Sequence, residues 1–293
     1  SRELFHLPGI EAITNGVHSR TWTCPGFRKL FDTAIPGWDS DPSRLIQALH
    51  LPDEDVWKTH QAAKMRLLAR VMEDTGVELD PEMLTIGFGR RAAAYKRADM
   101  IFNDIDRLAE ICSGKAQFIF SGKAHPKDQD GKQVLQRVIR ASRKLAPALQ
   151  VVFLPNYNIE TASLMTSGVD VWLNTPTRPR EASGTSGMKC AHNGVLNFSV
   201  LDGWWIEGWL EDITGWSIGP EPLPGSQDNR TEEDVEDFYA KLEKRVIPTY
   251  LKDRSRWVWM MKNAIALNAS VFNTHRLVRE YCEKAYGIAF RGL

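Results

Sequence analysis

The sequence predicts an α/β fold: a parallel sheet covered by helices on both faces. Two observations predict it. Short apolar runs recur between residues 84 and 202, and segments with helical spacing separate them. The runs are also nearly continuous in apolar character, as expected of strands buried on both sides.

In chain order, residues 1–50 read as irregular, with Pro8, Gly9, Pro25, Pro36, Gly37 and Pro42 interrupting any period. Trp22, Phe27, Phe31 and Trp38 lie among them, and such large rings are expected to pack across a surface. Residues 53–75 read as one long helix, with acidic residues at its start, strong helix formers throughout and Gly76 past its end. LTIGFG (84–89) is a strand, and 97–113 a helix in which Ile101, Ile105, Leu108 and Ile111 recur about every fourth residue. QFIFSG (117–122) is a strand, and 129–144 a helix with a basic outer face. QVVFLP (150–155) is a strand and 158–167 a short helix. DVWLNT (170–175) is a strand, 185–193 begins another helix, and VLNFSVLD (195–202) is a strand. Beyond 203 the pattern changes to a tryptophan- and glycine-rich stretch and a polar loop (220–230). Helices follow over 231–245, 255–270 and 273–286, and Pro248 separates the first from the second.

Lysine plus arginine and aspartate plus glutamate number 37 each, which gives no general attraction to nucleic acid or to an anionic membrane. No run of 18 apolar residues exists, so no membrane span is expected. The opening has no basic region followed by an apolar one, so it is not a secretory signal. It lacks an initiator methionine and looks cut from a longer chain. Cys24, Cys112, Cys190 and Cys282 form no CxxC pair and read as free thiols in a reducing, cytoplasmic setting. Neither they nor the seven histidines have zinc-ligand spacing, and no metal is expected.

In a parallel sheet of this kind ligands bind beyond the carboxyl ends of the strands. GFGRRAAAYKRAD (87–99) places Arg90, Arg91, Lys96 and Arg97 there. Four cations so close need solvent or an anion, and both a phosphate site and a solvated basic helix start fit them. GxGxxG is not completed, because position 92 is alanine, so this is no dinucleotide fingerprint. Lys123 and His125, after the next strand, either join the site or shape its rim.

PREASGTSGMKCAHNG (179–194) is the second such segment. Glu181, Ala182, Ser183, Gly184, Thr185, Ser186 and Gly187 leave backbone donors accessible for an anion, and Lys189 falls about one turn into the helix that follows. Lys189 could hold a phosphate as an ammonium group, or react with an aldehyde as a neutral amine, with the nearby cations lowering its pKa. An ordinary surface lysine after a glycine-rich loop is the plain alternative. Glu181 suits sugar hydroxyls. Tyr157 is placed either to cover a ring or to fill the core.

Residues 13–19 (ITNGVHS), 86–97 (IGFGRRAAAYKR), 122–132, 153–157 (FLPNY), 181–208 (EASGTSGMKCAHNGVLNFSVLDGWWIEG) and 272–287 (FNTHRLVREYCEKAYG) together resemble the α-glucan phosphorylases: glycogen, starch and maltodextrin phosphorylases. The resemblance covers nearly the whole chain. It implies a Rossmann-like sheet domain, the C-terminal half of a glycosyltransferase-B arrangement, with extra terminal helices. It divides the chain into 1–80 near the interdomain linker, 81–225 as the cofactor- and phosphate-binding domain, and 226–293 as helices returning toward a missing N-terminal domain.

The resemblance further implies pyridoxal 5'-phosphate bound as a Schiff base to Lys189. The reaction is reversible phosphorolysis of a terminal α-1,4 bond of a glucan by orthophosphate, giving glucose 1-phosphate. Arg91 and Lys96 match ligands of the substrate and cofactor phosphates and, with Lys189, form the implied catalytic set. Arg90 stands where many larger members carry lysine. Thr185, Ser186 and Gly187 match the phosphate-meeting turn, Glu181, Ala182, Ser183 and Gly184 the segment that holds glucose, and Tyr157 a tyrosine beside the cofactor ring. His18 lies in a family segment without an assigned step. With only one sheet domain, the chain alone is expected to be inactive or nearly so. Its ends would expose apolar surface unless it is folded back or dimerised as a homo-oligomer. A nucleotide-sugar glycosyltransferase of the same fold, needing no pyridoxal phosphate, and a glucan-binding module using the ten tryptophans are the rival readings.

Overall fold

The computed structural model describes residues 12–146, 148–223 and 230–287. The breakers Pro8 and Gly9, and the 224–229 part of the polar loop, lie outside the described residues. Six parallel strands form one sheet: β1 (Leu84–Arg91), β2 (Ala116–Lys123), β3 (Val151–Leu154), β4 (Val171–Asn174), β5 (Leu196–Val200) and β6 (Gly215–Ile218). Their order is β3-β2-β1-β4-β5-β6, the doubly wound Rossmann-like order.

Side chains alternate between two cores. Phe118 and Phe120 of β2 and Val171 and Leu173 of β4 enter the larger core, while Ile119 and Trp172 enter the core on the other face. Both faces are therefore dry, which explains why the strands carry no polar alternation. Gly87 has no room for more: a Cβ there would meet Val169 Cγ1 at 2.7 Å.

Helices α1 (Ser19–Trp22), α2 (Pro25–Ala34) and the long α3 (Asp53–Thr75) precede β1. Three acidic residues open α3, and Gly76 closes it in the left-handed region at φ 70°. Residues 12–50 depart from the irregular expectation, since α2 is followed by a 3₁₀ helix at Pro42–His50. Pro25 and Pro42 stand in the first turns of these helices, where a missing N–H costs nothing, so they open helices rather than break them. Phe27, Phe31 and Trp38 are fully buried in the larger core.

Helices α4 (Ile105–Cys112), α5 (Gln129–Leu145), α6 (Ile159–Gly168) and α7 (Ser186–Ala191) connect the strands. The helix expected over 97–113 is split, with short 3₁₀ turns at Ala94–Lys96 and Met100–Phe102 before α4. Beyond β5 come α8 (Trp205–Gly208) and then β6, which the sequence reading missed. The terminal helices are α9 (Thr231–Lys241), α10 (Ile247–Lys252), α11 (Arg254–Asn263) and α12 (Thr274–Glu280). Pro248 does not separate helices as expected. It lies just past a π-helical turn at Leu242–Val246, where the i→i−4 ladder is already interrupted. The chain breaks instead at Asp253, whose side chain accepts from Arg256 N at 2.9 Å to cap α11.

At the amino edge of the sheet, opposite the expected ligand edge, lies a fully buried ionic cluster. Lys64 Nζ donates to Asp170 Oδ2 at 2.7 Å, to Met83 O at 2.7 Å and to Tyr250 Oη at 3.0 Å. His60 Nε2 lies 2.8 Å from Asp170 Oδ1, and Thr85 N donates to Asp170 Oδ2 at 2.7 Å. Burial pushes the Asp170 carboxyl up, but the Lys64 charge and the His60 bond outweigh it and hold the group below its ordinary value. The cluster joins α3, β1, β4 and α10 at the end of the sheet away from the functional edge.

Candidate active site at the switch point of the sheet

The strand order reverses between β1 and β4, and a crevice opens beyond their carboxyl ends. Its walls are the turn after β1 (residues 92–97) and the turn after β4 (residues 175–185). A cleft of about 380 Å³ is lined by Arg90, Arg91, Lys96, Tyr157, Glu181, Ser183, Gly184, Thr185, Ser186 and Lys189. Four basic side chains face one carboxylate there. A neighbouring cavity of about 470 Å³ shares Arg91, Lys96 and Tyr157 and adds Lys123 and His125, both exposed at the rim.

The four cations at the carboxyl end of β1 and in the turn that follows take different roles. Arg90 and Lys96 are buried, and both grip the same oxygen of Glu181: Arg90 through Nη2, and Lys96 through Nζ at 2.7 Å. Burial raises the Glu181 pKa, but Arg90 and Lys96 reverse that and hold it below the usual range. Arg91 is exposed and faces the cleft. Arg97 turns away: it donates to Thr175 O and Pro176 O at 2.8 Å each and to Asp234 Oδ2 at 2.6 Å. Arg178 takes the other oxygen of Asp234, also at 2.6 Å. One carboxylate of α9 thus clamps both walls of the crevice.

Lys189 projects from α7 between two buried neighbours. Met188 packs with Val17, Trp204 and Phe272, and Cys190 with Trp172 and Met165. The Lys189 ammonium lies 3.6 Å from the centre of the Trp22 ring. Burial lowers its pKa, whereas the sequence reading gave that effect to neighbouring cations. His192, fully buried, ties α7 to α1: its Nδ1 donates to Met188 O at 2.8 Å, and its Nε2 accepts from Ser19 Oγ at 2.9 Å. Gly187 sits where a Cβ would fall 2.3 Å from Asn197 Oδ1.

The turn at 181–184 is fixed at both ends. Its carboxylate is held by the two cations, and its backbone is held by the turn after β5: Glu181 N donates to Asp202 Oδ2 and Trp204 N to Ser183 O, both at 2.9 Å. Gly184 needs its φ of 76°, and a Cβ on it would crowd Glu181 at 3.1 Å. Ala182 is exposed. Tyr157 Oη donates to Gly89 O at 3.0 Å, and burial raises its pKa to about 12. Beneath the turn, Arg90 Nη1, Asn174 Oδ1 and Ser183 Oγ are buried without a protein partner.

Every residue singled out between 90 and 96 and between 181 and 189 thus lies at one crevice, apart from Ala182 and Gly187. Ala182 points outward, and Gly187 packs behind. His18 instead caps α1, its Nδ1 accepting from Thr21 N at 3.2 Å. Asn15, which also lines the cleft, and Trp22, Asn174 and Asp202 were not assigned from sequence. Asp202 stood in the segment 181–208, and Trp22 among the aromatic residues of the opening segment.

A family model for carbohydrate phosphorylase matches residues 6–213, most of the chain. The chain belongs to the carbohydrate phosphorylase family. It is 41% identical to the maltodextrin phosphorylase of Thermococcus litoralis, over 96% of this chain and 36% of that protein. It is 37% identical to the glycogen phosphorylase of Aquifex aeolicus, over 94% of this chain and 44% of that protein. Against the glycogen phosphorylase of Mycobacterium tuberculosis the identity is 35%, over 96% of this chain and 35% of that protein. The chain therefore spans between 35% and 44% of the length of these relatives. No helix among the described residues is long and apolar enough to cross a membrane.

Proposed function

We propose that this chain supplies the cofactor- and phosphate-binding wall of an α-1,4-glucan phosphorylase, which releases terminal glucose as α-glucose 1-phosphate with orthophosphate as the attacking group. The observation that carries the reading is the convergence of Lys189, Arg90, Arg91 and Lys96 on one cleft at the switch point. Such a concentration of positive charge allows two phosphate groups to lie close together.

Pyridoxal 5'-phosphate fits the residues present. Lys189 is an amine whose protonation burial disfavours, and Arg90 keeps a buried guanidinium nitrogen free of protein partners. Lys189 would bond the cofactor's aldehyde, Tyr157 would flank its ring, and Arg90, Lys96, Thr185 and Ser186 would hold its phosphate, with Gly187 packed behind them. When bound, the cofactor supplies a phosphate that exchanges a proton with orthophosphate. Arg91 would hold orthophosphate, so that its proton could reach the glycosidic oxygen while its anion faces the developing positive charge on the sugar. Glu181, Ser183 and Gly184 would hold the departing glucose by its hydroxyls, while Ala182 faces away from the cleft.

The relatives' greater length supports placing this sheet as one half of a glycosyltransferase-B cleft, with residues 1–80 and 226–293 flanking the domain at 81–225. Half a cleft excludes little water, so turnover belongs to the protein that carries the remaining length. The test is to purify that protein and record its absorbance before and after borohydride. The reading expects a cofactor band that borohydride fixes to the peptide containing Lys189, and release of glucose 1-phosphate from a glucan and orthophosphate. Absence of both overturns it, and glucan binding without cofactor would favour a binding module.

A further inference from the structure

The turn after β5 carries an acidic residue that the reaction scheme does not use. Asp202 is 6% exposed. Both of its oxygens accept backbone N–H groups at 2.9 Å: Oδ2 that of Glu181, and Oδ1 that of Gly203. The two turns meet backbone to backbone. Gly203, at φ 57°, is so close that a Cβ would lie 2.5 Å from Ser183 O, and Trp204 N donates to that same oxygen at 2.9 Å. Trp204 is itself locked by Phe272, with ring centres 4.8 Å apart.

We propose that Asp202 is the positioning residue of the glucose-holding turn. It fixes the backbone of residues 181–184, while Arg90 and Lys96 fix the carboxylate of Glu181. This rests on the proposed role of that turn in holding glucose. The chemistry requires a carboxylate at this position. Two separate N–H donors approach two separate oxygens, so asparagine would satisfy one and set its own N–H₂ against the other. Glu181 sits beside Asp202 and opposes its charge, while Arg178 favours it and Arg90 lies across the small chamber beneath the turn. Burial, more than any neighbour, raises the Asp202 pKa to about 6. Below that pH one acceptor oxygen gains a proton, and one of the two N–H groups loses its partner. The turn then loosens in a range where ordinary aspartates remain charged.

Two measurements on the full-length, cofactor-loaded protein test this. In the first, Asp202→Asn is compared with wild type in the direction of glucan synthesis. The KM for glucose 1-phosphate is expected to rise about tenfold, with a smaller change in kcat, as for a lost charged hydrogen bond that orients substrate. The part of the acidic limb of the wild-type pH profile near 6 that exceeds the titration of the substrate phosphate, which also ionises near 6, should vanish. An unchanged KM and an unchanged acidic limb overturn the proposal. The second needs no variant: amide exchange at 181–184 in wild type, corrected for intrinsic chemistry, should speed up between pH 7 and pH 5. Equal protection at both pH values overturns the proposal even if Asp202→Asn fails to fold. A wild type that neither takes up pyridoxal phosphate nor turns over glucan defeats the proposed function instead. A working wild type with an indifferent Asp202 defeats only this inference.

Discussion

Replacing Glu181 by glutamine tests whether the cleft is an anion site. In the folded chain the Arg90, Lys96 and Glu181 side chains are 6%, 8% and 11% exposed, so these charges interact with little solvent between them. Glutamine removes the negative charge but keeps an oxygen that accepts one bond. Breaking a buried pair costs about 3–5 kcal/mol, and the retained acceptor points to the lower end, about 3 kcal/mol. For a domain of this size each kcal/mol shifts Tm by about 2–4 °C, so Glu181→Gln should melt roughly 6–12 °C lower in a buffer without phosphate. The orphaned cations would then take up inorganic phosphate. At a hundred times its Kd, phosphate returns about 2.7 kcal/mol, nearly the whole loss. Scanning calorimetry across a phosphate titration, with chloride at matched ionic strength as control, reads both effects. Phosphate should raise the variant's Tm more than the wild type's. Parallel titrations for the two proteins, or no drop in Tm without phosphate, would refute the idea that Glu181 acts as the built-in counter-ion of an anion site.

Three further outcomes are expected. Lys64→Met removes the cation of the buried cluster at the amino edge and should cost about 3–5 kcal/mol by chemical denaturation, while protein that remains folded still takes up cofactor at Lys189. Gly187→Ala forces a Cβ to 2.3 Å from Asn197 Oδ1 and 2.7 Å from Trp204, both buried, so a loss of about 1–3 kcal/mol is expected, together with a reduced yield of borohydride-fixed cofactor. Burial lowers the His192 pKa from 6.5 to about 4, so the folded chain binds fewer protons than the unfolded one between those values. Stability from this group is therefore full above pH 6.5 and falls by about 3 kcal/mol as pH drops through 4, and His192→Gln should flatten that part of a denaturation-against-pH curve.

The five strands that the sequence revealed are legible as apolar runs, the imprint of burial on both faces. β6 escaped notice because Gly215–Ile218 has only Trp216 and Ile218 as large apolar residues, with glycine and serine beside them, and so leaves no apolar run. Proline misled the reading three times for one reason. Pro25, Pro42 and Pro248 were read as interruptions, yet each stands where its absent N–H has no ladder bond to make. The two site segments were legible because cations and small residues at strand ends have few structural uses. The pairing of Glu181 with Arg90 and Lys96 was not, since it joins residues some ninety positions apart through the adjacency of β1 and β4. His60 and Lys64 left a usable signal that was not taken up: they lie four apart, on the same face of α3 as the buried Val56, Ala63 and Leu67.

The grip of Asp234 on Arg97 and Arg178 has a mechanical consequence. The two lips of the crevice are tied to one helix by a single short side chain, so neither can swing independently of α9. This side of the cleft is an anvil rather than a jaw. Under the proposed function, any closure over a bound substrate would have to come from the part of the protein that faces these lips, and not from the lips themselves.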